Sequence, residues 1–148
     1  MIACGDGYND LTMIQYAGLG VAMENAVLPV RKAADFITYS NKAKRKFLGV
    51  NKATLKKYGA VSKKTAQEMA EGGAAAAEAD ACVAITGIAG PDGGTEEKPV
   101  GLVYVACCLK NDTVVEECHF RGTRSEIREQ SAMYALDLLR RTILKNYR

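Results

Sequence analysis

The chain has 148 residues, 48% of them hydrophobic and 25% charged, with a net charge of +3. That size and balance fit one globular domain and exclude a largely disordered chain; neither disulfides nor metal need staple a fold of this length. No apolar run reaches the ~18–20 residues that span a bilayer, and the opening Met1-Ile2-Ala3-Cys4-Gly5-Asp6 has neither the basic nor the apolar region of a secretion signal, so a cytoplasmic protein without membrane contact is expected.

Met1–Cys4 reads as a short strand ending at Gly5, and Leu11, Met13, Ile14 and Ala17 predict a helix over Asn9–Ala17, stopped at Gly18. Leu19–Met23 reads as a buried strand. Pro29 suits the first turn of a helix to about Ala34, and Phe36–Tyr39 is the next strand. Asn41 and Asn51 are predicted N-caps of two short helices closed by Gly49 and Gly59. Ser62 opens a longer helix through Glu78, weakened at Gly72-Gly73. Ala81–Thr86 is a strong strand, followed by a glycine-rich loop from Gly87 to Gly101.

Leu102–Leu109 and Thr113–Arg121 form a hairpin across Lys110-Asn111-Asp112. Thr123 caps a final helix in which Ala132, Leu136, Leu139 and Ile143 make one apolar stripe. The pattern predicts an α/β fold: a single three-layer domain over residues 1–148, with a mixed, mostly parallel sheet and one late antiparallel hairpin.

Charge is uneven along the chain. Residues 42–67 carry nine basic and no acidic side chains, whereas residues 68–103 carry seven acidic ones and a single base, Lys98. The basic block has little aromatic interleaving (Phe47, Tyr58), so solvated helix faces are favoured over a nucleic-acid footprint. One or two of its lysines would serve a smaller anion such as a substrate phosphate. The five cysteines (Cys4, Cys82, Cys107, Cys108, Cys118) contain no C-x-x-C pair, which argues against a disulfide framework and a zinc site. The one histidine, His119, gives no metal cluster.

Two groups of residues have chemical potential. In Gly5-Asp6-Gly7-Tyr8-Asn9-Asp10, Asp6 and Asp10 stand four residues apart at a strand-to-helix turn; they either converge on one Mg²⁺ or merely cap a helix. The second group centres on Thr86, Gly87, Ile88, Ala89 and Gly90, where a strand runs into a loop with five glycines between residues 87 and 101. Such a loop lets the main chain approach a ligand and aim amide N–H groups at an anion, the alternative being a long structural turn. Lys44, on the first turn of a helix beside a strand end, could act as a general base for a hydroxyl, with Tyr39 orienting the pair. Arg124 reads, by itself, as an exposed arginine at a helix start.

The phrase GDGYNDLTMIQYAGLGVAM…VRKAADFIT, residues 1 to about 38, resembles the last conserved segment of Cof-type phosphatases of the haloacid dehalogenase superfamily. That resemblance implies Mg²⁺ on Asp6, with Asn9 and Asp10 completing the shell. The family's nucleophilic Asp, phosphate-gripping Ser/Thr and upstream Lys have no counterpart in the sequence, so covalent phosphoryl transfer is expected to fail.

From Tyr39-Ser40-Asn41-Lys42-Ala43-Lys44 through Gly87-Ile88-Ala89-Gly90-Pro91-Asp92-Gly93-Gly94 and the following EEKPVG, residues 37–148 resemble the C-terminal domain of the CinA competence/damage-inducible family. This resemblance implies a nicotinamide-nucleotide amidase, converting nicotinamide mononucleotide and water to nicotinate mononucleotide and ammonia without a cofactor. It also implies that Tyr39 and Lys44 match the catalytic Tyr and Lys, that the glycine loop binds substrate, and that Arg124 lies near it.

The family's T-A-E-S-C-T-G-G turn, with its serine nucleophile, is replaced by the dehalogenase-like segment. The chain thus looks like a chimera with impaired activity, with Cys4, Thr12 and Thr38 the only hydroxyl or thiol candidates before Tyr39. Expected partners are a small pyridine nucleotide and, through the apolar hairpin, a second copy of the chain.

Overall fold

The computed structural model describes residues 2–5, 8, 11–16, 19–22, 27–33, 36–37, 40–110 and 112–146. The chain divides into two compact units, Met1–Phe47 and Leu48–Arg148.

In the first unit, β1 (Ile2–Gly5), β2 (Leu19–Ala22) and β3 (Phe36–Ile37) lie side by side in parallel, with Ile2 opposite Leu19 and Val21 opposite Phe36. Parallel neighbours need a crossover, and two short helices supply it: α1 (Leu11–Tyr16) and α2 (Leu28–Ala33). Ile14 and Val30 are their buried anchors. Helix α3 (Asn41–Leu48) begins one position earlier than the sequence suggests: Asn41 is already helical, and Ser40 is the cap. Its hydroxyl accepts from the Ala43 N–H at 3.1 Å, and its carbonyl accepts from the Lys44 N–H at 3.0 Å.

The second unit is built on an antiparallel sheet in the order β4 (Ala81–Gly87), β5 (Leu102–Leu109), β6 (Asp112–His119). The register sets Ala84 opposite Ala106 and Ala106 opposite Val115. The central strand β5 is apolar at nearly every position because both of its faces are covered. Ala106 and Cys108 pack with Ala66, Met69 and Ala70 of α5 (Lys63–Ala76). Val103, Val105 and Cys107 pack with Ile127, Ala135 and Leu138 of α6 (Arg124–Asn146).

Helix α4 (Lys52–Tyr58) starts at Asn51, whose side chain accepts from the Ala53 N–H at 2.8 Å, and ends at Gly59, as its sequence predicts. Glu68 of α5 anchors this start, accepting from the Asn51 N–H at 2.9 Å and the Thr54 hydroxyl at 2.7 Å.

Two expectations need correction. The expected single mixed sheet is replaced by two three-stranded sheets, one parallel and one antiparallel. Helix α5 runs through Gly72-Gly73 as expected, and those glycines serve packing: a Cβ on Gly72 would stand 1.8 Å from the Leu48 carbonyl oxygen, and one on Gly73 2.7 Å from the Cys82 sulfur.

The second correction concerns α6, which buries Ile127, Ser131, Ala135, Leu138 and Thr142, leaving Ala132, Leu136 and Ile143 outside and Leu139 half-buried. Two hydroxyls sit on the true core face, and each donates to the carbonyl one turn back, Ser131 to Ile127 at 2.7 Å and Thr142 to Leu138 at 2.8 Å. A hydroxyl satisfied within its own helix is buried at little cost, so an apolar pattern alone misjudges this face. No described helix is long and apolar enough to cross a membrane.

Candidate functional site

The glycine-rich loop leaves β4 at Gly87 and returns to β5 at Leu102, and its base is tied to the sheet. The Ile88 N–H donates to the Leu102 carbonyl at 2.9 Å, the Gly101 N–H to the Ile88 carbonyl at 2.7 Å, and the Phe120 N–H to the Gly101 carbonyl at 2.9 Å. Gly101 has φ +95°, and a Cβ there would sit 2.0 Å from the Phe120 oxygen, so only glycine fits this return. Gly90 has φ +76°, a Cβ there would stand 2.7 Å from Val100 Cγ1, and the Gly90-Pro91 peptide is cis.

Three side chains brace the loop from other elements. Arg124, at the start of α6, donates to the Gly90 carbonyl at 2.8 Å. Lys98 donates to the carbonyls of Tyr58 and Val61 at 2.7 and 2.8 Å, pinning the loop to the corner between α4 and α5. Thr86, buried at the end of β4, donates from its hydroxyl to the Ala60 carbonyl of the same corner at 2.8 Å. The start of α6 is fixed in turn by a reciprocal cap: Glu126 accepts from the Thr123 N–H and hydroxyl at 2.6 and 2.8 Å, which holds its carboxyl below the ordinary range.

The structure describes some of the residues singled out in the sequence and not others. Gly87, Ile88, Ala89 and Gly90 form the rising limb of the loop, with Thr86 just below it and Arg124 braced against its crest. Thr86 is engaged with the α4–α5 corner, and the Ile88 N–H with β5, so neither group points its donor at open space. The N–H groups over residues 89–94 are not among those tying the loop down, and Arg124 has further guanidinium donors beyond the one given to Gly90. Lys44 lies on α3 in the first unit, only 9% exposed, and burial holds its ammonium pKa below the ordinary lysine value. Tyr39, Asp6 and Asp10 lie outside the described residues, as do Asn9 and Thr38; Thr12 is exposed on α1. Among the described residues no group of three or more His, Cys, Asp or Glu side chains is arranged to hold a metal.

Sequence reasoning missed Lys98 as a brace. The signal was its isolation: it is the one base in an acidic stretch of 36 residues, 68–103. A separate open cavity of about 640 Å³ lies at the C-terminal end of α5, lined by Glu71, Glu78, Asp80, Cys108 and Lys110 among others, and no loop residue reaches it.

A sheet sandwiched between helices, with a braced glycine loop at one strand end, defines the second unit as a small α/β protein whose most elaborate feature is that loop. The family model of the CinA C-terminal domain matches residues 32–143. The chain belongs to that family. A haloacid dehalogenase-like hydrolase model matches residues 1–45, so two family signatures meet in one chain and overlap over residues 32–45.

A putative competence-damage inducible protein of Alkaliphilus oremlandii is 44% identical over 143 residues, covering 96% of this chain and 32% of its own length. A CinA-like protein of Kosmotoga olearia is 55% identical over 108 residues, covering 73% of this chain and 26% of its own. The chain thus spans about a third or less of the length of these curated relatives. Among solved structures, the competence/damage inducible protein CihA from Agrobacterium tumefaciens is 36% identical with a TM-score of 0.68, covering 87% of this chain and 88% of that one.

Proposed function

We propose that the chain is a nicotinamide-nucleotide amidase-like domain that binds a pyridine nucleotide at the Gly87–Gly101 loop. The observation that carries this reading is the bracing of the loop crest by Arg124 in a chain of the CinA family. A turn serving only to connect two strands has no use for a guanidinium at its crest and an ammonium at its descent. A loop that must present main-chain N–H groups to a phosphate or an oxyanion has both.

In this reading the N–H groups between Ala89 and Gly94, with the remaining Arg124 donors, hold the anionic part of the nucleotide. As the family resemblance implies, Lys44, which burial makes easier to deprotonate, acts as general base, and Tyr39 orients the reacting pair or donates a proton. Ser40 is the first serine of the chain and caps α3, so turnover slower than in relatives with the serine turn belongs to the reading. No metal takes part. Cysteines without C-x-x-C spacing fit a cytoplasmic setting.

The test is a thermal shift with nicotinamide mononucleotide, followed by ammonia release. A ligand that binds only the folded state stabilises it by about 2.7 kcal/mol at a hundred times its Kd. Stabilisation by the mononucleotide, reduced in Arg124→Ala, supports the reading. No shift with any pyridine nucleotide overturns it. Mg²⁺-dependent phosphate release from sugar phosphates, abolished by Asp6→Asn, would instead make the N-terminal segment the working part.

A further inference from the structure

The apolar stripe that α6 does not bury faces outward. Met133 is 66% exposed and Leu136 68%, with Ala132, Ile143 and Leu144 exposed along the same side. At 100° per residue these positions form one band, and Glu129 and Arg140 lie within it, one turn before Met133 and one turn after Leu136. The apolar centre is thus bracketed by opposite charges about 16 Å apart along the helix.

We infer that this face pairs with the same face of a second copy of the chain, the two α6 helices packing antiparallel about a two-fold axis midway between Met133 and Leu136. The charge order singles out this occupant. Reversing a helix about that point sets Met133 of each copy against Leu136 of the other, and Glu129 of each opposite Arg140 of the other. A band that is its own electrostatic complement when turned end for end is the signature of an isologous contact.

Arg140 is available for this exchange. Its present partner Asp137, at 2.7 Å, is also held by Arg141 at 2.8 Å and stays paired if Arg140 turns away. In the hairpin, where the sequence suggested self-association, the central strand β5 is buried at every position but the half-buried Tyr104. This inference is independent of the amidase reading.

Sedimentation velocity from micromolar to submillimolar protein tests it. The wild-type chain should sediment as a monomer–dimer equilibrium. Leu136→Glu, at a position already in solvent, should raise the dissociation constant at least tenfold while leaving cooperative unfolding unchanged. Glu129→Arg should weaken the dimer, and Glu129→Arg combined with Arg140→Glu should restore it. A wild-type chain that stays monomeric throughout overturns the inference and leaves the face to a different polypeptide. A dimer indifferent to Leu136→Glu overturns it as well, placing self-association elsewhere.

Discussion

The Lys98 ammonium donates to the Tyr58 carbonyl at 2.7 Å, joining residues forty positions apart. Tyr58 ends α4, where carbonyls lack helical partners and carry partial negative charge, and Lys98 satisfies that end together with the Val61 carbonyl. The same side chain therefore caps a helix and anchors the descending limb of the glycine loop. Lys98→Met keeps the stem and removes the charge. With the site part-exposed, the loss should be about 1–2 kcal/mol of unfolding free energy, read from urea denaturation. A simple surface lysine would leave the urea midpoint in place.

Gly101 and Gly49 separate crowding from backbone strain. Both have positive φ, +95° and +64°, but a Cβ at Gly49 meets nothing within 4 Å, whereas one at Gly101 meets the Phe120 oxygen at 2.0 Å. Gly49→Ala should cost only about 1 kcal/mol, the strain of the left-handed conformation. Gly101→Ala must displace the main chain that closes the loop, and should cost at least ~3 kcal/mol along with nucleotide binding. Equal melting temperatures for the two variants would refute the account of the loop's base.

Much of this was legible in the sequence where the signal is local. Asn51, Ser62 and Thr123 cap the helices their side chains suggest, and Leu102–Leu109 has the bounds its apolar run gives. What failed depends on distant partners. The two glycines of α5 read only as a weak point of the helix until Leu48 and Cys82 are seen against them. The buried face of α6 hides behind Ser131 and Thr142, which a hydropathy pattern scores as solvent-facing. Of the candidate site, the loop was visible as a glycine cluster. The brace from Lys98 was not, because its acceptors are carbonyls, which leave no trace in side-chain identity.

Glu116 gives the stability a defined response to acid and alkali. The Arg141 fork at 3.1 Å and the Tyr134 hydroxyl hold its carboxyl below the ordinary glutamate range. A depressed carboxylate contributes stability that is complete above the ordinary value and is lost as pH falls through the lowered one. Tyr134, donating to that carboxylate and partly desolvated, is pushed up from 10.0 to about 12. Its contribution is complete below the ordinary phenol value and is lost as pH rises through about 12. Melting temperature against pH should fall at both ends, and Glu116→Gln should flatten both limbs. Ultraviolet titration should show a tyrosine step near 12, and that step should vanish in Tyr134→Phe.

Lys44 should show the opposite sign. Burial lowers its pKa, so the folded state disfavours the charge that the unfolded chain carries freely. Below its lowered value the full penalty applies. Between that value and the ordinary 10.5 the unfolded state binds more protons, so this residue's contribution to stability rises with pH. Lys44→Met, which keeps the buried stem and discards the ammonium, should therefore stabilise the protein near neutral pH by ~1 kcal/mol. If Lys44 is the base, the same variant should lose ammonia release while keeping the thermal shift with nicotinamide mononucleotide. A stabilised, ligand-binding, inactive protein is the pattern of a strained functional group retained for chemistry. Lower stability in Lys44→Met would show that the ammonium is held by favourable interactions, and the lysine would then belong to the architecture of α3.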